Sequence, residues 1–187
     1  MPGAIVLVGG AGTRLGGRAK PLLRLGGRTL LERSLAALAG CAPIVAVGPV
    51  LDPAAGIDWV REDPPRSGPV AAIAAGLAAL GPGVPEVLVL AGDLAHPDAV
   101  VGRLAGPVRG DAVLLRADGH PQWLAGRYRT AALRDALERF GGPIAGASCR
   151  AVLGGLAVQW CDDHDGISAD IDTAADLDRV RAAIEGD

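Results

Sequence analysis

The sequence has 187 residues, half of them hydrophobic but only 3% aromatic, and its formal net charge at pH 7 is −3. The length supports one domain, residues 1–187, while the lack of a basic tract or of an apolar run of roughly 20 residues argues against nucleic-acid and membrane binding. Cys41, Cys149 and Cys161 lack a C-x-x-C spacing and no signal peptide follows Met1, so we expect free thiols in a cytoplasmic protein.

The first predicted element is an apolar run over residues 4–8, which is typical of a buried strand. Five glycines follow within nine residues: Gly9, Gly10, Gly12, Gly16 and Gly17. A glycine backbone approaches ligands closely, and its N–H groups can converge on phosphate oxygens. Arg14 and Lys20 add two cations to this loop. The stretch therefore predicts a site for the polyphosphate of a nucleotide; the alternative is a plain glycine-rich turn between a strand and a helix.

Two well-known phosphate loops do not match this stretch. A Walker A loop requires G-x-x-x-x-G-K-[ST], but Arg18 and Ala19 follow Gly17. A dinucleotide fingerprint requires G-x-G-x-x-G, but Leu15 stands where the last glycine is needed.

The rest of the chain alternates helical and strand patterns. Helices are predicted over residues 29–38, 70–80, 97–104, 130–140 and 174–184. Strands are predicted over residues 44–47, 59–62, 86–91, 112–115, 123–128 and 156–160, and residues 144–153 are ambiguous. This order predicts an α/β fold, a Rossmann-like three-layer sandwich whose mixed sheet is mostly parallel with right-handed crossovers. A turn at Asp118-Gly119 predicts that the next strand returns beside its predecessor.

Carboxylates occur in two segments of the chain that could lie close together in the folded protein. Asp93 ends the predicted strand over residues 86–91, at the edge of an α/β sheet where ligands bind. Asp170 and Asp172 share one face of an extended segment. A carboxylate facing a triphosphate needs a cation between them, so these residues predict a Mg²⁺ site. The alternative is that they cap the helices that follow.

A resemblance emerges from the glycine loop. It reads Leu7-Val-Gly-Gly-Ala-Gly-Thr-Arg-Leu-Gly-Gly, followed by Lys20-Pro-Leu-Leu. This is similar to the signature loop of nucleotidyltransferases with a glycosyltransferase-A-like fold. Within that group it most resembles molybdenum cofactor guanylyltransferases, whose loop reads roughly L-A-G-G-x-x-x-R-M-G-G-x-D-K. The departures are Val8 for Ala, Leu15 for Met and Ala19 for Asp.

The resemblance implies metal ligands. Gly92-Asp93 is similar to the family's C-D-x-P segment, whose Asp binds Mg²⁺, although residues 94–96 intervene before Pro97. Residues 170–177 are similar to the family's N-x-[ND]-T-P-E-D-L segment. Asp172 matches the second ligand by position, and Asp170 is the reserve candidate.

The resemblance also implies a nucleotide site. Glu62-Asp63 with Gly68-Pro69 is similar to the family's E-D-x…G-P-L-A-G segment, and Asp63 could accept hydrogen bonds from guanine N1 and N2. Alternatively, Asp63 only forms a turn before Pro64. The family's Asn after the second strand falls at Val47. The implied nucleotide-binding residues are Leu7, Val8, Gly9, Gly10, Gly12, Thr13, Arg14, Lys20, Asp63, Gly68 and Asp93.

The acceptor site is implied by residues 118–124, which resemble the family's D-G-x-x-x-P-L segment. His120 and Gln122 are the candidates for contacts with a pterin. The alternative for His120 is an exposed turn residue without a role.

The implied activity is transfer of GMP from GTP to the phosphate of molybdopterin or molybdenum-molybdopterin, with Mg²⁺ as cofactor and other cofactor-biosynthesis proteins as further partners. Arg14 would hold the β- and γ-phosphates, Lys20 would stabilise the α-phosphate, and Asp93 would hold the ion. The alternatives are a cytidylyltransferase on the same pterin, a sugar-phosphate nucleotidyltransferase, or a nucleotide-binding protein without catalysis. Gly9-Gly10 favours guanine, because the cytidylyl relatives usually show Ala-Ala-Gly there.

Overall fold

The structure is a computed structural model that describes residues 1–9, 14–15 and 18–185. Its helices are α1 Leu30–Ala37, α2 Pro69–Leu80, α3 Pro97–Arg103, α4 Thr130–Phe140, α5 Cys149–Leu153 and α6 Ala174–Glu185. The main strands are β1 Gly3–Leu7, β6 Ile44–Val47, β7 Asp58–Val60, β8 Glu86–Ala91, β9 Ala112–Ala117, β10 His120–Arg129 and β11 Val158–Asp162. Four two-residue strands form two small hairpins: β2 Arg14–Leu15, β3 Arg18–Ala19, β4 Arg24–Leu25 and β5 Arg28–Thr29.

The main sheet has seven strands in the order β11-β9-β10-β8-β1-β6-β7. All neighbouring pairs are parallel except the two that involve β10, which runs antiparallel to both β8 and β9. Asp118 and Gly119 both have positive φ in the turn that joins β9 to β10. The predicted α/β class, the mostly parallel mixed sheet and the returning strand are confirmed.

Alternation along β1 shows why helices cover both faces of the sheet. Ile5 and Leu7 pack into one core with α2, α4 and α5, whereas Ala4 and Val6 pack into the other core with α1 and α3. Successive side chains of a strand point to opposite faces, so a strand that is apolar throughout needs a layer on each side. The result is the predicted three-layer sandwich.

Some element boundaries differ from prediction. The ambiguous residues 144–153 contain only the short helix α5, which begins after Ser148, whose hydroxyl accepts a hydrogen bond from the Ala151 N–H at 3.2 Å. The third strand ends at Val60 instead of Glu62, so Glu62 belongs to the loop before α2. Even α2, an apolar helix, has only 12 residues, and no described helix is both long and apolar enough to cross a membrane.

Candidate active site

The candidate site lies where β1 and β8 end side by side. The Gly92 N–H donates to the Leu7 carbonyl at 2.9 Å, which fixes the turn that carries Asp93 beside the end of β1. A Cβ on Gly92 would lie 2.8 Å from the Leu7 carbonyl oxygen, too close for any side chain. Glycine is therefore required at this position for the Asp93 turn to pack against β1.

A second segment joins this edge from the far end of the chain. Leu94 and Asp170 form an antiparallel bridge, and the Ile171 N–H donates to the Asp93 carbonyl at 3.2 Å. Ile171 and Leu94 are almost fully buried, so both backbone and side chains hold the segment in place. The segment brings Asp170 and Asp172 to Asp93 across more than 70 residues of sequence.

Lys20 connects these acidic residues. Its Nζ lies 2.6 Å from Asp172 Oδ1 and 3.4 Å from Asp93 Oδ2. The Lys20 residue is only 5% exposed, whereas the Asp172 side chain is 71% exposed. The structure thus brings together the lysine and both carboxylates that the sequence singled out. Lys20 is also the single lysine of the chain.

Burial and neighbouring charges shift the pKa values of Lys20, Asp93 and Asp170. Burial lowers the pKa of Lys20, but the hydrogen bonds and charges of Asp172 and Asp93 together outweigh burial and leave the pKa above its usual value. Burial raises the pKa of Asp93, and the attraction of Lys20 offsets this only in part. Burial, then the charges of Asp93 and Asp172, raise the pKa of Asp170 to about 7. One ammonium group does not neutralise three carboxyl groups, so the cluster favours a further cation.

The donor set of this cluster fits Mg²⁺. The ion prefers oxygen ligands and is usually bound by one or two carboxylates together with substrate phosphates and water. Asp93 and Asp172 face one common cation, the Lys20 ammonium, and could share another. Within the described part of the chain, no group of three or more His, Cys, Asp or Glu side chains is arranged as a metal cage. Substrate phosphates would therefore have to complete the coordination.

A pocket of about 370 Å³ opens beside Lys20 and Asp93. Leu7, Gly9 and Gly68, three of the residues predicted to bind nucleotide, also line it. The Val8 side chain is instead buried in the core below α1 and α3. Asp63 is exposed and does not line this pocket. Gly10, Gly12, Thr13 and the Arg14 side chain lie outside what the structure describes.

Two lining residues were missed from the sequence. Glu62 is buried; its Oε1 accepts from the Arg66 N–H at 2.8 Å, and its Oε2 has no hydrogen-bond partner. Arg66 lines the same pocket and has a φ of 66°, which is unusual for a residue with a side chain. A Glu-Asp pair followed by prolines offers no sequence signal for which carboxylate turns inward. Val47 also lines the pocket, so the position of the family's Asn is apolar here.

A second pocket of about 480 Å³ adjoins the first. Gln122, a predicted acceptor contact, lines this pocket. Trp123 also lines it, although the sequence analysis did not single out this residue. His120, the other predicted contact, is exposed and is not among the lining residues. Asp163 anchors the loop on its far side, accepting hydrogen bonds from the Ser168 N–H at 2.8 Å, the Ser168 hydroxyl and the Ile167 N–H at 3.0 Å. Burial alone would raise the pKa of Asp163, but these bonds keep it below its usual value.

Comparison with known proteins agrees with this geometry. The family model of the MobA-like NTP transferase domain matches residues 4–159. The chain is 36% identical to a molybdenum cofactor guanylyltransferase from Acidiphilium cryptum over 190 aligned positions, which cover 96% of this chain and 93% of that protein. The similarity thus spans both the glycine loop and the acidic segment near the end of the chain.

Solved structures show the same fold. Molybdopterin-guanine dinucleotide biosynthesis protein A from Archaeoglobus fulgidus superposes with a TM-score of 0.70 at 26% identity, covering 98% of this chain and 99% of that one. A 2-C-methyl-D-erythritol 4-phosphate cytidylyltransferase from Thermus thermophilus gives a TM-score of 0.69 at 23% identity, covering 99% and 100%. The fold is therefore common to structures named for guanine and for cytidine nucleotides, and fold alone does not select the base.

Proposed function

Because the chain belongs to the MobA-like NTP transferase family, we propose that it transfers GMP from GTP to the phosphate of molybdopterin or molybdenum-molybdopterin, releasing pyrophosphate. Family membership confirms the resemblance seen in the motifs, and the chain is a nucleotidyltransferase. The observation that carries the guanylyl proposal is the similarity to the Acidiphilium cryptum guanylyltransferase along nearly the full length of both chains.

The transfer is an in-line displacement. An oxygen of the acceptor phosphate attacks the α-phosphorus of GTP, and the bond from the α-phosphorus to the bridging oxygen breaks as pyrophosphate leaves with the electron pair. Lys20 stabilises the charge that grows on the α-phosphate. The acceptor phosphate is already ionised at pH 7, so no general base is required. The glycine-loop amides and Arg14 hold the β- and γ-phosphates.

Mg²⁺ is the cofactor of this proposal. Asp93 and Asp172 would hold the ion, which would neutralise negative charge on the phosphates. Asp170 stands beside them and is the alternative second ligand. We propose that the reaction takes place in the cytoplasm, a reducing compartment that suits a protein with three cysteines and no C-x-x-C spacing.

The nucleotide preference of the protein can be tested directly by its thermal stabilisation with different nucleotides. In the presence of Mg²⁺, GTP at about a hundredfold excess over Kd should raise the melting temperature by roughly 5–10 °C, and CTP, UTP and ATP should raise it less. The reason is that a ligand that binds only the folded state stabilises it. Differential scanning fluorimetry measures the shifts. Equal shifts for the four nucleotides would reject a guanine pocket, and a larger shift with CTP would favour cytidylyl transfer.

Two matched variants test whether Glu62 or Asp63 is the carboxylate that recognises the guanine base. Glu62 lines the pocket and has one oxygen without a partner, whereas Asp63 is exposed. A carboxylate can accept both guanine N1–H and N2–H, and such a pair is worth about tenfold or more in discrimination. If Glu62 reads the base, Glu62→Gln should remove most of the preference for GTP and Asp63→Asn should preserve it. The reverse result would return this role to Asp63.

A further inference from the structure

The second pocket meets the nucleotide pocket along a shared wall. Pro69, Ala91, Leu124 and Asp170 line both pockets. A molecule in the second pocket would therefore end where the nucleotide pocket begins, on the side that carries Lys20 and Asp93. This arrangement suits an acceptor whose reacting group points across the wall.

The lining of the second pocket suits an uncharged planar ring. Its polar side chains beyond the shared wall are Gln122, Ser148 and Ser168, and none of its lining residues is Lys, Arg or His. A phosphate would find no cation there, whereas amide and hydroxyl groups can bond the edge of a heteroaromatic ring. The phosphate of an acceptor would thus be directed out of this pocket towards Lys20.

Trp123 is supported at this pocket by contacts of both its ring and its main chain. Its ring meets the Trp160 ring edge-on, with centroids 6.4 Å apart and an interplanar angle of 74°. The buried Tyr128 hydroxyl donates to the Trp123 carbonyl at 2.6 Å. The guanidinium of Arg116 lies 5.8 Å from the Trp160 ring centre and is fixed by Asp162 at 2.7 Å. An aromatic side chain supported in this way loses little further freedom when a ligand stacks on it.

A break in the sheet explains why this tryptophan reaches the pocket. The register between β9 and β10 shifts between Gln122 and Gly126, which interrupts the regular pairing of the intervening residues with β9. Such bulges re-aim side chains beside functional sites. A Cβ on Gly126 would clash with the side chains of Leu114 and Tyr128, both of which are fully buried and would have to move.

We propose that Trp123, supported by Trp160, is the stacking surface for the pterin ring of the acceptor, and that the acceptor phosphate points across the shared wall towards Lys20. The identity of the ring rests on the proposed function. The stacking surface itself rests on the pocket, the aromatic pair and the absence of Lys, Arg and His from the lining residues.

A fluorescence experiment tests the stacking directly with the full chain and 2-amino-4-hydroxypteridine as the probe. In Trp59→Phe/Trp160→Phe the only indole is Trp123, and in Trp59→Phe/Trp123→Phe the only indole is Trp160. The probe should quench the first variant at saturation and should quench the second much less, after correction with free tryptophan. No saturable quenching, or equal quenching of both variants, would overturn the proposal.

Kinetics test the same residue in turnover. Trp123→Ala should raise KM for the pterin acceptor by about tenfold, since stacking of one ring is worth about that much, and should leave KM for GTP and kcat nearly unchanged. Trp123→Phe keeps a ring and should recover most of the loss. An unchanged acceptor KM in both variants would contradict stacking. Failure of the wild-type protein to transfer GMP would reject the proposed function instead, while quenching of Trp123 would still stand.

Discussion

Replacing Asp93 by Asn should lower the rate of pyrophosphate release by at least about a hundredfold, because Asn keeps the shape but loses the charge that holds the cation. The fold should survive. The pKa of Asp93 is raised, mainly by burial, so its ionised form costs folding free energy once the pH exceeds the unfolded pKa. A neutral Asn avoids that cost, and the melting temperature at pH 7 should not fall. A pyrophosphate-release assay and a thermal melt measure the two effects.

Two further variants are compared with Asp93→Asn, the first as a control and the second as a change to the other proposed metal ligand. Asp98→Asn changes an exposed carboxylate five residues away on α3 and should leave turnover unchanged. Asp172→Asn should have a smaller effect than Asp93→Asn, because the Asp172 side chain is 71% exposed and water already screens its charge. Undiminished turnover in Asp93→Asn would remove Asp93 from the mechanism.

Replacing Lys20 by Ala should lower kcat by about a hundredfold or more, with a smaller change in GTP affinity. Its ammonium group is buried between Asp93 and Asp172, at the point where the α-phosphate should arrive. The glycine loop and Arg14 would still hold the β- and γ-phosphates. Steady-state kinetics together with nucleotide binding by calorimetry separate the two quantities.

The melting temperature and the conservative variant Lys20→Arg provide further tests of the role of Lys20. Because the folded pKa of Lys20 is raised, its contribution to stability is complete below the unfolded value and is lost only as the pH rises through the folded value. Lys20→Ala should therefore lower the melting temperature at pH 7. Lys20→Arg keeps the charge but not the compact ammonium group and should restore stability more than turnover. Wild-type turnover in Lys20→Ala would contradict the assigned role.

The sequence predicted the layers of the fold and the residues around Lys20 for simple physical reasons. Apolar strands such as residues 4–8 must be covered on both faces, and parallel strands place their carboxyl ends at one edge. Asp93 could be placed at that edge because it follows a predicted strand, whereas Asp172 was chosen as its partner only through the resemblance to the family's segment. The antiparallel bridge at Asp170, which fixes their separation, depends on tertiary packing that local patterns do not report.

The walls of the pockets were less predictable than the acidic cluster. Glu62 and Asp63 are adjacent carboxylates in the loop after β7, and only Glu62 lines the nucleotide pocket. Trp123 lies within a strand that looks regular in sequence, and the register shift that directs it to the pocket arises from pairing with β9. Side-chain direction in loops and bulges depends on contacts that are distant in sequence.

The central claim is that the protein transfers GMP from GTP to molybdopterin, and an isotope label on the α-phosphate of GTP tests this most directly. Purified protein should be incubated with Mg²⁺, molybdopterin and GTP labelled at the α-phosphorus, with labelled CTP in a parallel reaction. The account predicts that the label from GTP appears in a molybdopterin dinucleotide, with one pyrophosphate released for each transfer, and that CTP reacts far more slowly. Faster transfer from CTP, or GTP binding without any transfer of label, would contradict it.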